Sequence, residues 1–187
     1  MKKFKSHPDK TEFDSVVRSL PREVLVDIYN ENPKIVNFDK SLEATLFYSW
    51  AGGIYNNAND KIYLRGDENF NAMIFAHELG HAIANTKTGP DGAATWGVVD
   101  EKFTETYEKE LQAFYEAGLT QEDCYGASSP QEAFAEAYAL LTVPSQTKEL
   151  DYKYLETYFP ETILQAQRVL EETRELGQEE RGRKVKS

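Results

Sequence analysis

The chain predicts an α+β fold in a single domain of 187 residues, with a small N-terminal sheet packed on a central helix and a mainly helical C-terminal part. Three observations carry that expectation. Short apolar segments bounded by Gly, Pro, Asn and Asp lie between residues 34 and 64. Apolar residues then recur at helical spacing around residues 70–83, and long amphipathic patterns fill the chain after residue 98.

Taken in order, Thr11 to Asn30 reads as helical, with Phe13, Val16, Val17 and Leu20, then Val24, Leu25 and Ile28, broken at Pro21. Lys34 to Phe38 is a short alternating strand between Pro33 and Asp39, and Thr45 to Tyr48 is a second candidate. Gly52-Gly53 and the run Asn56 to Asp60 are turn signals around Ile54-Tyr55, and Lys61 to Leu64 follows as a strand. The next helix has Phe70, Ile74, Leu79 and Ile83 available to bury one stripe. Thr86 to Gly97 is a Gly-rich polar loop. Val98 to Ala117 is an amphipathic helix whose stripe is Val99, Phe103, Tyr107, Leu111 and Phe114, ending near Gly118. Thr120 to Ser129 reads as loop and Pro130 to Leu141 as an Ala-rich helix. Two more helices are expected over 146–158 and 161–176. Residues 1–10 and 177–187 are expected to be mobile tails.

Composition narrows the partners. A net charge of −11, from 32 acidic and 21 basic residues, disfavours nucleic acid, whose phosphates need basic patches. The basic clusters at Lys2, Lys3 and Lys5 and at Arg181, Arg183, Lys184 and Lys186 read as solvated tails. Cys124 is the sole cysteine, so no intrachain disulfide can form. No apolar window approaches membrane-spanning length. The start, Met1 to Pro8, has basic residues but no apolar stretch behind them, so it does not read as a signal peptide.

Residues 77 to 81 read His77-Glu78-Leu79-Gly80-His81, an H-E-x-x-H pattern within the helical stretch. Residues four apart on a helix project from one face, so both imidazoles can address one metal ion. Glu78 lies one position round the turn, where its carboxylate can reach water at that ion. This is the zincin pattern, two zinc ligands and a general base on one helix. The alternative is an interior histidine pair held only by packing. Only three histidines occur in the chain, and two stand at the required spacing with Glu between them, which favours the metal.

A catalytic zinc needs a third protein ligand and an open position for water. The metzincin extension fails, because Ala84 stands where Gly is required and Lys87 where the third His is required. His7 lies in a polar N-terminal segment and is a poor candidate. A carboxylate or Cys124 remains. Glu132 and Glu136 lie four apart on the Ala-rich helix, where one could bind zinc and the other hold a ligating imidazole. Ser129-x-x-Glu132 is equally a capping box with Pro130 at the first helical position, so spacing alone leaves Glu132 open between ligand and cap. Cys124 reads more simply as a small buried hydrophobe, and Tyr125 as an ordinary loop tyrosine.

The metal motif, a Tyr125-Gly126 pair and the Ser129-Pro130-x-Glu132-x-Phe134-Ala135-Glu136-Ala137-Tyr138 segment together resemble the peptidase domain of anthrax lethal factor and the smaller secreted pro-pro endopeptidases of Gram-positive bacteria. The Gly52-Gly53-Ile54-Tyr55 and Lys61-Ile62-Tyr63-Leu64 segments resemble the sheet that precedes their metal helix. The likeness covers roughly residues 20 to 145. It implies a zincin-like domain with a single catalytic Zn2+ held by His77, His81 and Glu132, Tyr125 assisting the transition state, and Glu136 matching the second acidic residue of that helix. It also implies secretion. The loop from Thr86 to Gly97 and the segment near Trp50 do not align with substrate-binding elements, so Pro-Pro recognition is not carried over.

The expected activity is zinc-dependent endopeptidase cleavage of a protein or peptide substrate by a monomer, with Glu78 as general base. A catalytically silent zincin-like module serving in binding or toxin delivery is the second reading. Glu78 argues for the first, because a binding module has no need of a general base.

Overall fold

Two four-residue strands pair because their turn chemistry and their apolar residues agree. The structure, a computed structural model, describes residues 52–58, 61–64, 72–84, 87–88, 94–95, 99–143 and 150–171. Strand β1 (Gly53–Asn56) runs antiparallel to β2 (Lys61–Leu64), with Tyr55 opposite Ile62 and Asn56 opposite Lys61. The Asn56 side chain accepts a hydrogen bond from Ala58 N at 3.0 Å, the local bond by which Asn starts a turn. Ile62 is fully buried.

Helix α1 (Ala72–Ala84) follows and touches both strands. Its burial corrects the expectation of one apolar stripe. Leu79 and Ile83 are buried as expected, but so are Met73, Phe75, Ala76, Glu78, Gly80 and Ala82, and Phe70 lies outside the described residues. Only Ile74, His77 and His81 remain partly exposed. A helix sandwiched between a hairpin and other helices is apolar nearly all round, so one narrow face, carrying both histidines, stays open.

The segment read as a loop over 86–97 is also corrected in part. Strands β3 (Lys87–Thr88) and β4 (Ala94–Thr95) form a second antiparallel pair within it. Gly and Pro between them gave only a turn signal, and two-residue strands are too short to show alternation.

Helix α2 (Glu101–Glu116) starts at Asp100, whose Oδ1 accepts from Phe103 N at 2.8 Å, and ends before Gly118 at φ 79°. Phe103, Tyr107 and Phe114 of the expected stripe are buried and Leu111 is half-buried. A short 3₁₀ turn (Tyr125–Ala127) interrupts the predicted loop 120–129. Helix α3 (Pro130–Thr142), helix α4 (Leu150–Tyr158) and helix α5 (residues 160–171) complete the described chain. Phe134 of α3 meets Phe103 of α2, and Phe159, between α4 and α5, stacks on Tyr107 at 5.7 Å and touches Phe114.

The deepest helix contact is between α1 and α3. Gly80 makes it possible, because a Cβ there would stand 2.8 Å from the Cα of Ala135. Backbone cannot yield as a side-chain tip can, so only glycine fits. Ala133, Ala135, Ala137 and Ala139 keep α3 thin enough to lie close.

Among the described residues the architecture is thus mainly helical with two small antiparallel strand pairs, compatible with the α+β class. The helix expected over 11–30 and the strands expected at 34–38 and 45–48, with His7 and both tails, lie outside the described residues. No helix among the described residues is long and apolar enough to cross a membrane.

Candidate metal centre

The open face of α1 meets the first turn of α3. His77 and His81, one turn apart, bring their Nε2 atoms to 3.1 Å, with the rings nearly perpendicular at 85°. Glu132 Oε2 lies 3.1 Å from each of them. The three atoms form a triangle of equal edges, and all three residues are partly buried. Imidazole nitrogens do not turn toward each other without a proton or a cation between them. Metal bonds of about 2.0–2.1 Å in a tetrahedral site set ligand atoms roughly 3.3 Å apart, close to the observed edges. The donor set therefore fits a small divalent metal ion.

Glu132 reaches this position because its backbone is capped by another residue. Ser129 Oγ accepts from Glu132 N at 3.1 Å and Pro130 occupies the first turn, so one half of the capping box forms. The other half does not take the carboxylate, which turns to the histidines. The carboxylate lies with the two histidines, where it could serve a metal ion.

Glu136, one turn further along α3, places Oε1 2.9 Å from His77 Nδ1. The Nδ1 atom is buried and makes no aligned hydrogen bond, so this is a close charge contact rather than a directed bond. His77 thus has a carboxylate at each ring nitrogen. Burial alone would lower its pKa, but Glu132, Glu136 and Glu78 outweigh burial and raise it well above 6.5. For Glu132, burial acts upward and is outweighed by His77 and His81, which hold it well below 4.5.

Glu78 is 7 % exposed, and its Oε2 accepts a hydrogen bond from Tyr55 N at 2.5 Å. Desolvation raises its pKa above 4.5, against His77, His81 and the Tyr55 N–H, which lower it. Neither this bond nor the strand that makes it was legible in the motif. Gly53 offered a signal, since a glycine in a strand often marks a close approach, but next to Gly52 it read as a turn.

Tyr125 is 42 % exposed, and its ring centre lies 5.8 Å from that of His77, inclined at 44°. Its carbonyl accepts from Ser128 N and Oγ, which fixes the turn that presents it. Cys124, its neighbour, is buried in the hydrophobic core and stands apart from the His77–His81–Glu132 cluster. His77, Glu78, His81, Glu132, Glu136 and Tyr125 therefore converge on one region, although they come from three separate segments. No protein-family model and no curated protein matches the chain.

Proposed function

We propose that the chain is a zincin-like zinc endopeptidase, akin to the lethal factor and pro-pro endopeptidase group that its motifs resemble. The observation that carries this reading is the triangle of His77 Nε2, His81 Nε2 and Glu132 Oε2 with 3.1 Å edges, beside a buried Glu78 on the same helix. Two imidazoles and one carboxylate are the ligand set of catalytic zinc sites that keep a fourth position open.

Bound zinc would supply Lewis acidity and lower the pKa of water from about 15.7 toward about 7. Glu78 takes the proton of the attacking water and delivers it to the leaving amine. Its partly desolvated carboxylate, with the pKa raised by burial, is suited to both transfers. The Tyr125 hydroxyl, on an exposed side chain against His77, donates to the carbonyl oxygen as it gains negative charge. Glu136 holds the His77 ring from behind.

Cleavage of a diverse peptide library, read by mass spectrometry with and without a zinc chelator, tests the reading. Chelator-sensitive cuts that disappear in Glu78→Ala are expected. Zinc-loaded, folded protein that cuts nothing would favour a binding module.

A further inference from the structure

Gly53 is a glycine whose backbone does not require one. Among the described residues only Gly118 has a left-handed φ, and a glycine within a strand weakens it. What Gly53 supplies is space. A Cβ at this position would lie 2.8 Å from Glu78 Cγ, 3.2 Å from Glu78 Oε1 and 3.0 Å from Ile74 Cγ2. Two residues on, the Tyr55 N–H donates to Glu78 Oε2. Residues i and i+2 of a strand share one edge for their main-chain groups, so β1 turns this edge toward α1 and its other edge toward β2.

We propose that Gly53 is a positioning residue for the Glu78 carboxylate: its missing side chain lets the edge of β1 approach until the Tyr55 N–H ties Oε2, which fixes the rotamer and leaves Oε1 as the oxygen not bound to the strand. A buried carboxylate on a three-torsion side chain would otherwise sample several rotamers. The main-chain bond removes that freedom without placing a positive side chain beside the base. This proposal rests on the reading of Glu78 as general base only for its effect on turnover; the geometry stands without it.

The test uses amide NMR and hydrogen exchange on the full-length metal-free chain, followed by kinetics of the zinc-loaded protein. In the wild type the Tyr55 amide is expected downfield and protected. In Glu78→Ala it moves upfield and exchanges roughly tenfold faster or more, as a bond to a charged acceptor is lost. Gly53→Ala produces the same change at Tyr55. In the zinc-loaded protein it lowers kcat by about 10²-fold with KM and zinc content held, because the base is misplaced by about 1 Å. Gly52→Ala is the control, since a Cβ there meets the tip of the half-buried Ile74 side chain at 2.5 Å and not Glu78. It leaves the Tyr55 amide and kcat near wild type.

An unmoved Tyr55 amide in Glu78→Ala overturns the proposal even if Gly53→Ala fails to fold. A Gly53→Ala protein with wild-type Tyr55 shift and kcat overturns it as well. If the amide responds as expected while no protein cleaves peptide, the positioning contact survives and the endopeptidase reading falls.

Discussion

Glu136 Oε1 lies 2.9 Å from His77 Nδ1, on the side of the ring opposite Glu132. The two carboxylates on one face of α3 therefore act on one imidazole from its two nitrogens, and their effects on metal binding should separate. Glu132→Ala removes one of the three atoms proposed to hold the metal and is expected to abolish tight zinc binding. Glu136→Ala removes only the carboxylate beside His77 Nδ1, proposed to hold that ring, with an expected loss of about 10–100-fold in affinity. Competition titrations with a fluorescent chelator measure both, and the reverse order would exchange their roles.

If Glu78 is the general base as proposed, Glu78→Ala should keep zinc at near wild-type stoichiometry and lose turnover, because Glu78 is outside the triangle of His77, His81 and Glu132. Metal analysis alongside peptide cleavage decides the point. A variant that arrives without zinc would show that Glu78 serves the metal more than the proton.

Tyr125→Phe keeps the ring that lies 5.8 Å from His77 and deletes only the hydroxyl. A fall of roughly 10²-fold or more in kcat, with zinc content unchanged, is expected for the loss of one oxyanion donor. An unchanged kcat would return Tyr125 to a packing role.

The raised pKa of His77 and the lowered pKa of Glu132 give a pH dependence of known sign. For His77, shifted from 6.5 to about 10, the stabilisation is full below 6.5 and is lost as pH rises through about 10. For Glu132, shifted from 4.5 to about 2, it is full above 4.5 and lost as pH falls through about 2. Ionising Glu78, whose pKa burial raises, costs further stability as pH rises. Chelator-treated protein should thus be most stable between about pH 4.5 and 6.5 and weaken toward pH 9 in urea melts. Because His77 must shed its proton to bind metal, zinc uptake at pH 7 should release about one proton. Calorimetry in buffers of different ionisation enthalpy reads that proton directly, and a buffer-independent heat would contradict it.

Glu110 of α2 accepts from Glu161 N at 2.7 Å and Thr162 N at 2.9 Å, capping the first turn of α5 across 51 and 52 residues of sequence. Thr162 beneath it is fully buried. Glu110→Ala should destabilise the fold by about 0.5–2 kcal/mol, the range for a lost N-cap. Zinc affinity should not change, since Glu110 is not among the residues of the cluster. Urea unfolding with and without metal measures both effects.

Local rules made several parts of this protein legible in the sequence. The i, i+4 spacing puts His77 and His81 on one face whatever packs around the helix. Gly118 ends α2, and Ser129 and Pro130 start α3, by backbone chemistry confined to a few residues, while the start expected at Val98 falls instead at the Asp100 cap. Strand β2, Lys61 to Leu64, follows from the turn signals before it and its apolar residues, whereas Gly53 read as a turn and not as the start of β1. Contacts between distant residues carry no such period. Whether Glu132 caps its own helix or turns to His81, 51 residues away, depended on Gly80 letting α3 close on α1. The same holds for Glu136 at His77, for Tyr125 beside that ring, and for the strand edge that ties Glu78. Sequence by itself determined the helix that carries both histidines and Glu78. Tertiary packing alone decided which carboxylates and which backbone N–H complete the cluster, because each is set by the distance between elements and not by spacing along one of them.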